Sequence, residues 1–165
     1  MKTNQQEEKN IKNFEIPKIS FGAATLGDEY GKVDKNEGVQ AVKRALELGI
    51  KLFDTSPYYG RKKSEQALGD ALQVVSKELN LKRSDYFICT KTGRFDVSEF
   101  DFSKTRIEKS IQESLNRLQT DYLDILILHD VEFGNEEEII NESIPTLVSF
   151  KKKGIINNIG IRYKI

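Results

Sequence analysis

Four titratable residues stand at or just beyond the ends of three apolar runs, and together they can perform acid–base chemistry at an oxygen atom. They are Asp54, Tyr59, Lys91 and His129. The apolar runs cover residues 51–54, 86–91 and 123–129. Each run is typical of a β-strand, and a helical pattern follows each one. Because consecutive strands of a parallel barrel end on the same face, we expect the four side chains to converge in space.

The chemistry of this group centres on a tyrosine hydroxyl. A tyrosine has an ordinary pKa of about 10, and a neighbouring ammonium group favours its phenolate form. Lys91 can supply that charge, and Asp54 can hold Lys91 in place. Tyr59 then becomes a proton donor to a carbonyl or an acceptor from an alcohol. His129 can hydrogen-bond the same oxygen, and a hydride carrier beside it would complete a carbonyl reduction or an alcohol oxidation.

Each of these residues also has a structural interpretation when it is considered alone. Asp54 suits the cap of a turn, and Lys91 suits a solvated strand end. Tyr59 is a common type of loop-packing residue, and a single histidine can be purely structural. Packing explains the apolar stripes of the chain, but it does not require polar groups at three successive strand ends. The joint pattern therefore favours a functional site.

Composition and charge exclude several classes of function. The chain has 165 residues and a formal net charge of zero, with 38% hydrophobic and 32% charged residues. A neutral chain lacks the basic excess of nucleic-acid-binding proteins. No apolar run approaches the ~20 residues that span a bilayer, so we expect no membrane segment. The acid–base chemistry described above instead predicts a small-molecule carbonyl or alcohol as the partner.

The single cysteine, Cys89, and the single histidine restrict metal binding and location. One cysteine excludes an internal disulfide, and a cysteine or histidine metal cluster is not expected. Residues 1–13 are polar, lack the apolar core of a secretory signal, and are predicted to form a flexible tail. The sequence therefore predicts a cytoplasmic protein whose second segment, residues 14–165, folds as one domain.

Strands and helices alternate along that domain. Strand starts fall near residues 19, 50, 86, 122 and 156, a spacing of one strand–helix unit. Asp34, Ser64 and Ser103 are predicted to begin the first three helices. Pro145 is expected in the first turn of the fourth, where its missing N–H costs little. The fold class is α/β, of the (β/α)8 TIM-barrel type, truncated to about five strands and four helices.

Several spaced motifs resemble the aldo-keto reductase family. Residues 53–60 (FDTSPYYG) resemble the family's segment around its catalytic aspartate and tyrosine. Residues 90–93 (TKTG) and 128–130 (LHD) are similar to the segments with its lysine and histidine. Residues 159–161 (IGI) are similar to its fifth strand. The resemblance covers residues 16–161 and is strongest for the family's plant-type L-galactose dehydrogenase branch.

This resemblance implies a nicotinamide cofactor, NAD or NADP, and a role for each residue. Tyr59 would be the proton donor or acceptor, Lys91 and Asp54 its tuning pair, and His129 the orienting group. Tyr58 is the competing tyrosine, but the family's tyrosine lies five positions after its aspartate, as Tyr59 does. The substrate would be a sugar lactol or alcohol and its carbonyl or lactone. Residues 22–27 match a loop of the family that approaches the cofactor, and no individual residue in this loop is assigned as a ligand.

The family also implies a rival interpretation. Its members hold most of the cofactor on loops after the sixth, seventh and eighth strands, which this sequence does not contain. We therefore expect a fragment of a full barrel, a barrel completed by another chain, or an inactive open arc. In the last two situations the chain would be a truncated remnant or an association module that uses its open sheet edges.

Overall fold

The computed structural model describes residues 15–163, which contain one five-stranded parallel sheet. The strands follow one another in the order β1-β2-β3-β4-β5, and every neighbouring pair is parallel. They are β1 (Ser20–Gly22), β2 (Leu52–Asp54), β3 (Phe87–Thr92), β4 (Leu123–His129) and β5 (Ile156–Arg162). This topology confirms the predicted (β/α)-barrel type with five strands. The predicted tail at residues 1–13 lies outside the described residues.

Helices connect the strands, as the alternating pattern predicts. They are α1 (Lys35–Glu47), α2 (Lys63–Glu78), α3 (Lys104–Leu118), α4 (Glu136–Glu138) and α5 (Ile144–Lys152). A π-helical segment, Ile139–Ser143, joins α4 to α5, so these form one continuous helical run in the fourth position. No helix within residues 15–163 is both long enough and apolar enough to cross a membrane.

Two of the predicted helix starts are confirmed by their hydrogen bonds. The Asp34 carboxylate accepts from the backbone N–H groups of Asn36 and Glu37, at 2.8 and 3.3 Å. The Ser103 hydroxyl accepts from the N–H of Arg106 at 3.4 Å. Both side chains therefore satisfy N–H groups that a helix cannot pair internally.

The predicted cap at Ser64 is wrong. Helix α2 begins at Lys63, and its cap position is Lys62, two residues before Ser64, with a φ of 76°. The buried Ser64 hydroxyl instead donates to the carbonyl oxygen of Ala23 at 2.7 Å. It also lies 2.8 Å from the Thr55 hydroxyl. A buried hydroxyl needs a partner, and here the partners lie on the loops after β1 and β2, not on the helix terminus.

The fourth helical run begins earlier than the sequence pattern suggests. The Asn135 side chain caps it by accepting from the N–H of Glu138 at 3.0 Å. Pro145 does lie in the first turn of α5, as predicted, but a π-helical segment precedes that turn. Proline has no N–H to donate, so the regular α-helical pairing is interrupted at this point. The Thr146 hydroxyl donates to the carbonyl oxygen of Glu142, one turn earlier, at 2.7 Å.

The sheet has apolar side chains on both faces. The face toward the helices forms the main core, whose largest fully buried members include Phe53, Ile88, Leu126 and Leu128. The opposite, inner face carries a smaller cluster of Leu52, Cys89 and Ile125, with Phe87 and Ile127 packed against it. Alternate residues of a strand point to opposite faces, which explains the nearly continuous apolar sequence of β4.

Two partly buried ion pairs lie among the helices and strands of the outer layer. Arg117 Nε donates to Glu65 at 2.7 Å, and the Thr90 hydroxyl donates to the same carboxylate at 2.6 Å. Arg83, which lies just before β3, donates from Nη2 to Asp124 of β4 at 2.6 Å. These charges lie on the helix side of the sheet, so the inner face is free for other chemistry.

A close approach between two glycines shapes the loop after β2. Gly60 has a φ of 56°, and a Cβ atom there would collide with the carbonyl oxygen of Gly27. The 3₁₀ helix Ala23–Gly27 therefore packs directly against the residue that follows Tyr59. Only glycine combines this backbone conformation with this contact at low cost.

Candidate active site

The strand register places three of the predicted residues on the inner face. Asp54 pairs with Cys89, and Lys91 lies two residues farther along β3. Lys91 in turn pairs with Ile127, and His129 lies two residues farther along β4. Steps of two residues keep a side chain on the same face, whereas a step of one would reverse it. From one strand to the next, the site residue lies two positions farther along, because strands in a barrel are tilted relative to the barrel axis.

Lys91 and Asp54 form a bidentate ion pair across β2 and β3. The Lys91 Nζ atom lies 2.9 Å from both carboxylate oxygens of Asp54 and donates to the carbonyl oxygen of Thr55 at 2.8 Å. The Lys91 side chain is 5% exposed and that of Asp54 is 31% exposed. The ammonium group thus has three oxygen acceptors, and Asp54 faces the open side of the pair.

Tyr59 lies beside this pair, on the loop between β2 and α2. The Lys91 Nζ atom is 4.7 Å from the centroid of the Tyr59 ring, within the range of a cation–π contact. The loop turns back tightly, because the Tyr59 N–H donates to the Ser56 carbonyl oxygen at 3.1 Å. The half-buried tyrosine therefore presents its ring to the ammonium group. This contact connects the loop after β2 to the end of β3.

The two adjacent tyrosines have different cations as neighbours. The Tyr58 ring lies under the guanidinium of Arg94, whose central carbon is 3.8 Å from the ring centroid. The Tyr59 ring faces Lys91 instead, and the two rings are 6.1 Å apart. Each ring lies 6.2 Å from the imidazole of His129. All four predicted residues, together with the competing Tyr58, therefore occupy one cluster.

His129 is buried at the end of β4 and is held by both rings. The planes of the Tyr59 and Tyr58 rings make angles of 87° and 70° with the imidazole, so both contacts are edge-on. Its Nδ1 atom lies 3.5 Å from the Ser56 hydroxyl oxygen. These contacts fix the plane of the imidazole ring within the cluster.

The surroundings of His129 oppose its protonation. Burial is the largest cause that lowers the pKa of the imidazole, which falls to about 3. The positive charges of Lys91, Arg162 and Arg94 act in the same direction, and the Asp54 carboxylate opposes them. The imidazole is therefore neutral at physiological pH, where it can donate one hydrogen bond and accept another.

A charge cluster beyond the strand ends escaped the sequence prediction. The buried Asp130 carboxylate is paired with Arg94, from the loop after β3, and with Arg162, from the end of β5. Asp130 has a φ of 55°, which turns the chain sharply after β4. The sequence does show charged residues close to the strand ends, which could have suggested this cluster. The pairing of Asp130 with Arg162, however, depends on β5 lying beside β4.

Cys89 is a neighbour of the site that lacks nucleophilic character. It is buried on the inner face, and burial, with the Asp54 carboxylate as the next cause, raises the pKa of its thiol to about 12. The thiolate is the reactive form of cysteine, so this residue fills space below the ion pair.

The side chains of this site suit proton transfer, and open space lies beside them. Within residues 15–163, no cluster of three or more His, Cys, Asp or Glu side chains is placed to hold a metal. Gly22, which pairs in register with Asp54, has open space where a side chain would lie. The inner face beside Asp54 is therefore open at Gly22, and the side chains of the site can donate and accept protons but supply no electrons.

Comparisons with known proteins found a family model and relatives that match most of the chain. Residues 18–164 match the family model described as "Aldo/keto reductase family". The chain is 48% identical over 148 residues to L-galactose dehydrogenase of Arabidopsis thaliana. This match covers 90% of this chain and 45% of the relative. It is 39% identical over 157 residues to D-arabinose 1-dehydrogenase of Saccharomyces cerevisiae, covering 92% and 45%.

A solved structure shows the same arrangement of elements. An aldo-keto reductase from Bacillus halodurans in its holo form has a TM-score of 0.71 and 32% identity, covering 88% of this chain and 45% of that one. The chain spans about half the length of the curated relatives it matches. The family match covers nearly the whole sequence. The chain therefore belongs to the aldo/keto reductase family.

Proposed function

We propose that this chain carries the acid–base residues of an oxidoreductase that interconverts a sugar lactol or alcohol and its lactone or carbonyl, with NAD or NADP. The observation that supports this most strongly is the Lys91 ammonium group, which both Asp54 oxygens hold beside the Tyr59 ring. A buried lysine is rare and costly unless it is paired. Here the pair lies on the inner face of the sheet, on the side opposite the main apolar core.

In this proposal, Tyr59 moves the proton. Its hydroxyl gives a proton to the carbonyl oxygen in reduction and takes one from the alcohol in oxidation. The Lys91 charge stabilises the phenolate that remains, and Asp54 keeps Lys91 in position. When bound, the nicotinamide ring supplies or accepts the hydride; Gly22 and Asp54 would line its place.

His129 orients the substrate oxygen in this scheme. A neutral imidazole donates a hydrogen bond without adding charge to an already positive region. The burial of the ring excludes competing water, which strengthens the hydrogen bond. Tyr59 and His129 then approach the same oxygen from two sides, which selects one orientation for the carbonyl.

The substrate class follows from the relatives and not from the geometry. The two similar dehydrogenases are named for L-galactose and D-arabinose, so we propose a sugar that is oxidised at its anomeric (lactol) carbon. We also propose a cytoplasmic setting, in which the single cysteine stays reduced. No nucleic acid, membrane or metal enters this proposal.

The test is a substrate and cofactor profile of the gene product isolated at its natural length. We expect reduction of NAD or NADP with L-galactose or D-arabinose, and a much lower rate with glycerol, which has no lactol carbon. Equal rates with all three alcohols would refute the sugar assignment.

The rival interpretation predicts a different result for the same preparation. A chain that only associates through its open sheet edges would form oligomers and would turn over none of these substrates with either cofactor. Light scattering during size-exclusion chromatography measures the first property, and the rates measure the second.

A further inference from the structure

Ser56 links the loop of the two tyrosines to His129. It lies two residues after β2 and is fully buried. Within residues 15–163, its hydroxyl oxygen contacts two polar partners. The backbone N–H of Tyr58 donates to it at 3.1 Å, and Nδ1 of His129 lies 3.5 Å away.

These two contacts decide which atom gives the proton. A backbone N–H can only donate, so the Ser56 oxygen accepts from Tyr58. The Ser56 hydrogen then has Nδ1 of His129 as its acceptor. If Nδ1 carried the ring proton instead, the buried hydroxyl hydrogen would lack an acceptor among these residues, which is unfavourable. The contacts thus favour an Nδ1 atom that accepts.

The other ring nitrogen gives the same answer independently. Nε2 of His129 lies 3.6 Å from a carboxylate oxygen of Asp130. An ionised carboxylate can only accept, so it favours a proton on Nε2. The distance is longer than a hydrogen bond, and Asp130 is already paired with Arg94 and Arg162. The Nε2–H group therefore stays available for another acceptor.

We propose that Ser56 is a positioning residue that donates its hydroxyl hydrogen to Nδ1 of His129 and thereby keeps the imidazole proton on Nε2. The inference rests on the proposed function, in which the His129 ring donates a hydrogen bond to the substrate oxygen. Without Ser56 the neutral ring can place its proton on Nδ1, and Nε2 then faces the substrate oxygen with a lone pair. The tautomer thus determines whether the ring attracts or repels that oxygen.

Nitrogen NMR of the chain measures this tautomer directly. His129 is the only histidine in the sequence, so histidine labelled with ¹⁵N gives the signals of a single ring. At pH 7 we expect a protonated, pyrrole-type Nε2 and an unprotonated, pyridine-type Nδ1, shifted by the hydrogen bond that it accepts. In Ser56→Ala, the Nδ1 resonance should move to the position of a pyridine-type nitrogen without that bond, or toward the protonated type.

Two further variants keep the test decisive. Ser143→Ala removes another fully buried hydroxyl, which donates to the carbonyl of Phe102, and it should leave both nitrogen resonances unchanged. Ser56→Cys keeps a weaker donor, and its Nδ1 shift should lie between those of the wild type and Ser56→Ala.

A wild-type ring protonated on Nδ1 would overturn the proposal, even if Ser56→Ala fails to fold. An Nδ1 resonance that is identical in the wild type and a folded Ser56→Ala would also overturn it. Because these measurements need neither cofactor nor substrate, the result does not depend on whether the proposed reaction is correct.

Discussion

The Lys91 ammonium group lies 2.9 Å from both carboxylate oxygens of Asp54, although 37 residues separate the two in sequence. The contact joins the ends of two parallel strands, β2 and β3, on the inner face of the sheet. Most ion pairs with such an exposed partner contribute little, but here the lysine is 5% exposed and depends on its three acceptors. In the proposed function, the charge of Lys91 is the feature that gives the neighbouring tyrosine its role.

A double-mutant cycle should show strong coupling in this pair. Asp54→Asn leaves a buried ammonium without its counter-charge, so we expect a loss of roughly 3 kcal/mol in the free energy of unfolding. Lys91→Met removes the charge itself, and combining both changes should cost less than the sum, by about 1 to 3 kcal/mol. Urea unfolding followed by circular dichroism measures all four chains. Strictly additive losses would mean that the contact is not formed.

The stability of the chain should depend on the protonation of His129. Its pKa in the folded state is lowered to about 3, from an ordinary value of 6.5. Between these values the unfolded chain binds a proton that the folded chain does not. The stabilisation by neutral His129 is therefore complete above pH 6.5, and it is lost as the pH falls toward 3.

Substitution of this histidine shows how much of the loss in the free energy of unfolding at low pH is due to His129. On going from pH 7.5 to pH 4.5, the wild type should lose roughly 2 to 3 kcal/mol more than His129→Gln does, about 1.4 kcal/mol for each pH unit below 6.5. Urea titrations at both pH values measure the difference, and the carboxylates common to both chains cancel. Equal losses would show that the imidazole is protonated as easily in the folded chain as in the unfolded one.

Cys89 should resist alkylation in the folded chain. Its pKa is raised to about 12 by burial and by Asp54, so at pH 8 the folded chain holds roughly a thousandfold less thiolate than the unfolded chain. Intact mass after exposure to iodoacetamide, with and without urea, measures the two rates. Labelling at the same rate in both conditions would place the thiol in solvent.

Gly60→Ala should disturb the loop that carries Tyr59. The φ of 56° and the collision with the Gly27 carbonyl oxygen both oppose a Cβ atom there. We expect a loss of roughly 1 to 3 kcal/mol in stability. Gly22→Ala is the matched control, because no heavy atom lies within 4 Å of the added carbon and its φ is not positive. Equal stability of the two variants would mean that the two loops are not in contact.

The sequence predicted the elements better than the contacts between them. The five strands and the caps at Asp34 and Ser103 could be predicted from the sequence, because apolar periodicity and local hydrogen bonds depend on neighbouring residues. The hydrogen bonds of the Ser64 hydroxyl could not be predicted, since its partners, Ala23 and Thr55, come from two other loops. The early start of the fourth helical run escaped because Pro145 marks only the turn after the π-helical segment.

The candidate site shows the same division. Strand ends predicted that Asp54, Lys91 and His129 would meet, because parallel strands end together. The two-residue steps between them follow from the tilt of the strands, which no local pattern records. The pairing of Asp130 with two arginines was also unreadable, because it requires the position of a strand that lies 32 residues away.

The most direct test of the proposed chemistry compares Tyr59→Phe with Tyr58→Phe in the gene product at its natural length. Each change removes one hydroxyl and keeps the aromatic ring, so circular dichroism should show both variants folded. With L-galactose and NAD or NADP, we expect Tyr59→Phe to lower kcat by roughly a hundredfold or more. Tyr58→Phe should keep most of the wild-type rate. Retained turnover in a folded Tyr59→Phe, with loss in Tyr58→Phe, would contradict the assignment of Tyr59 as the proton donor.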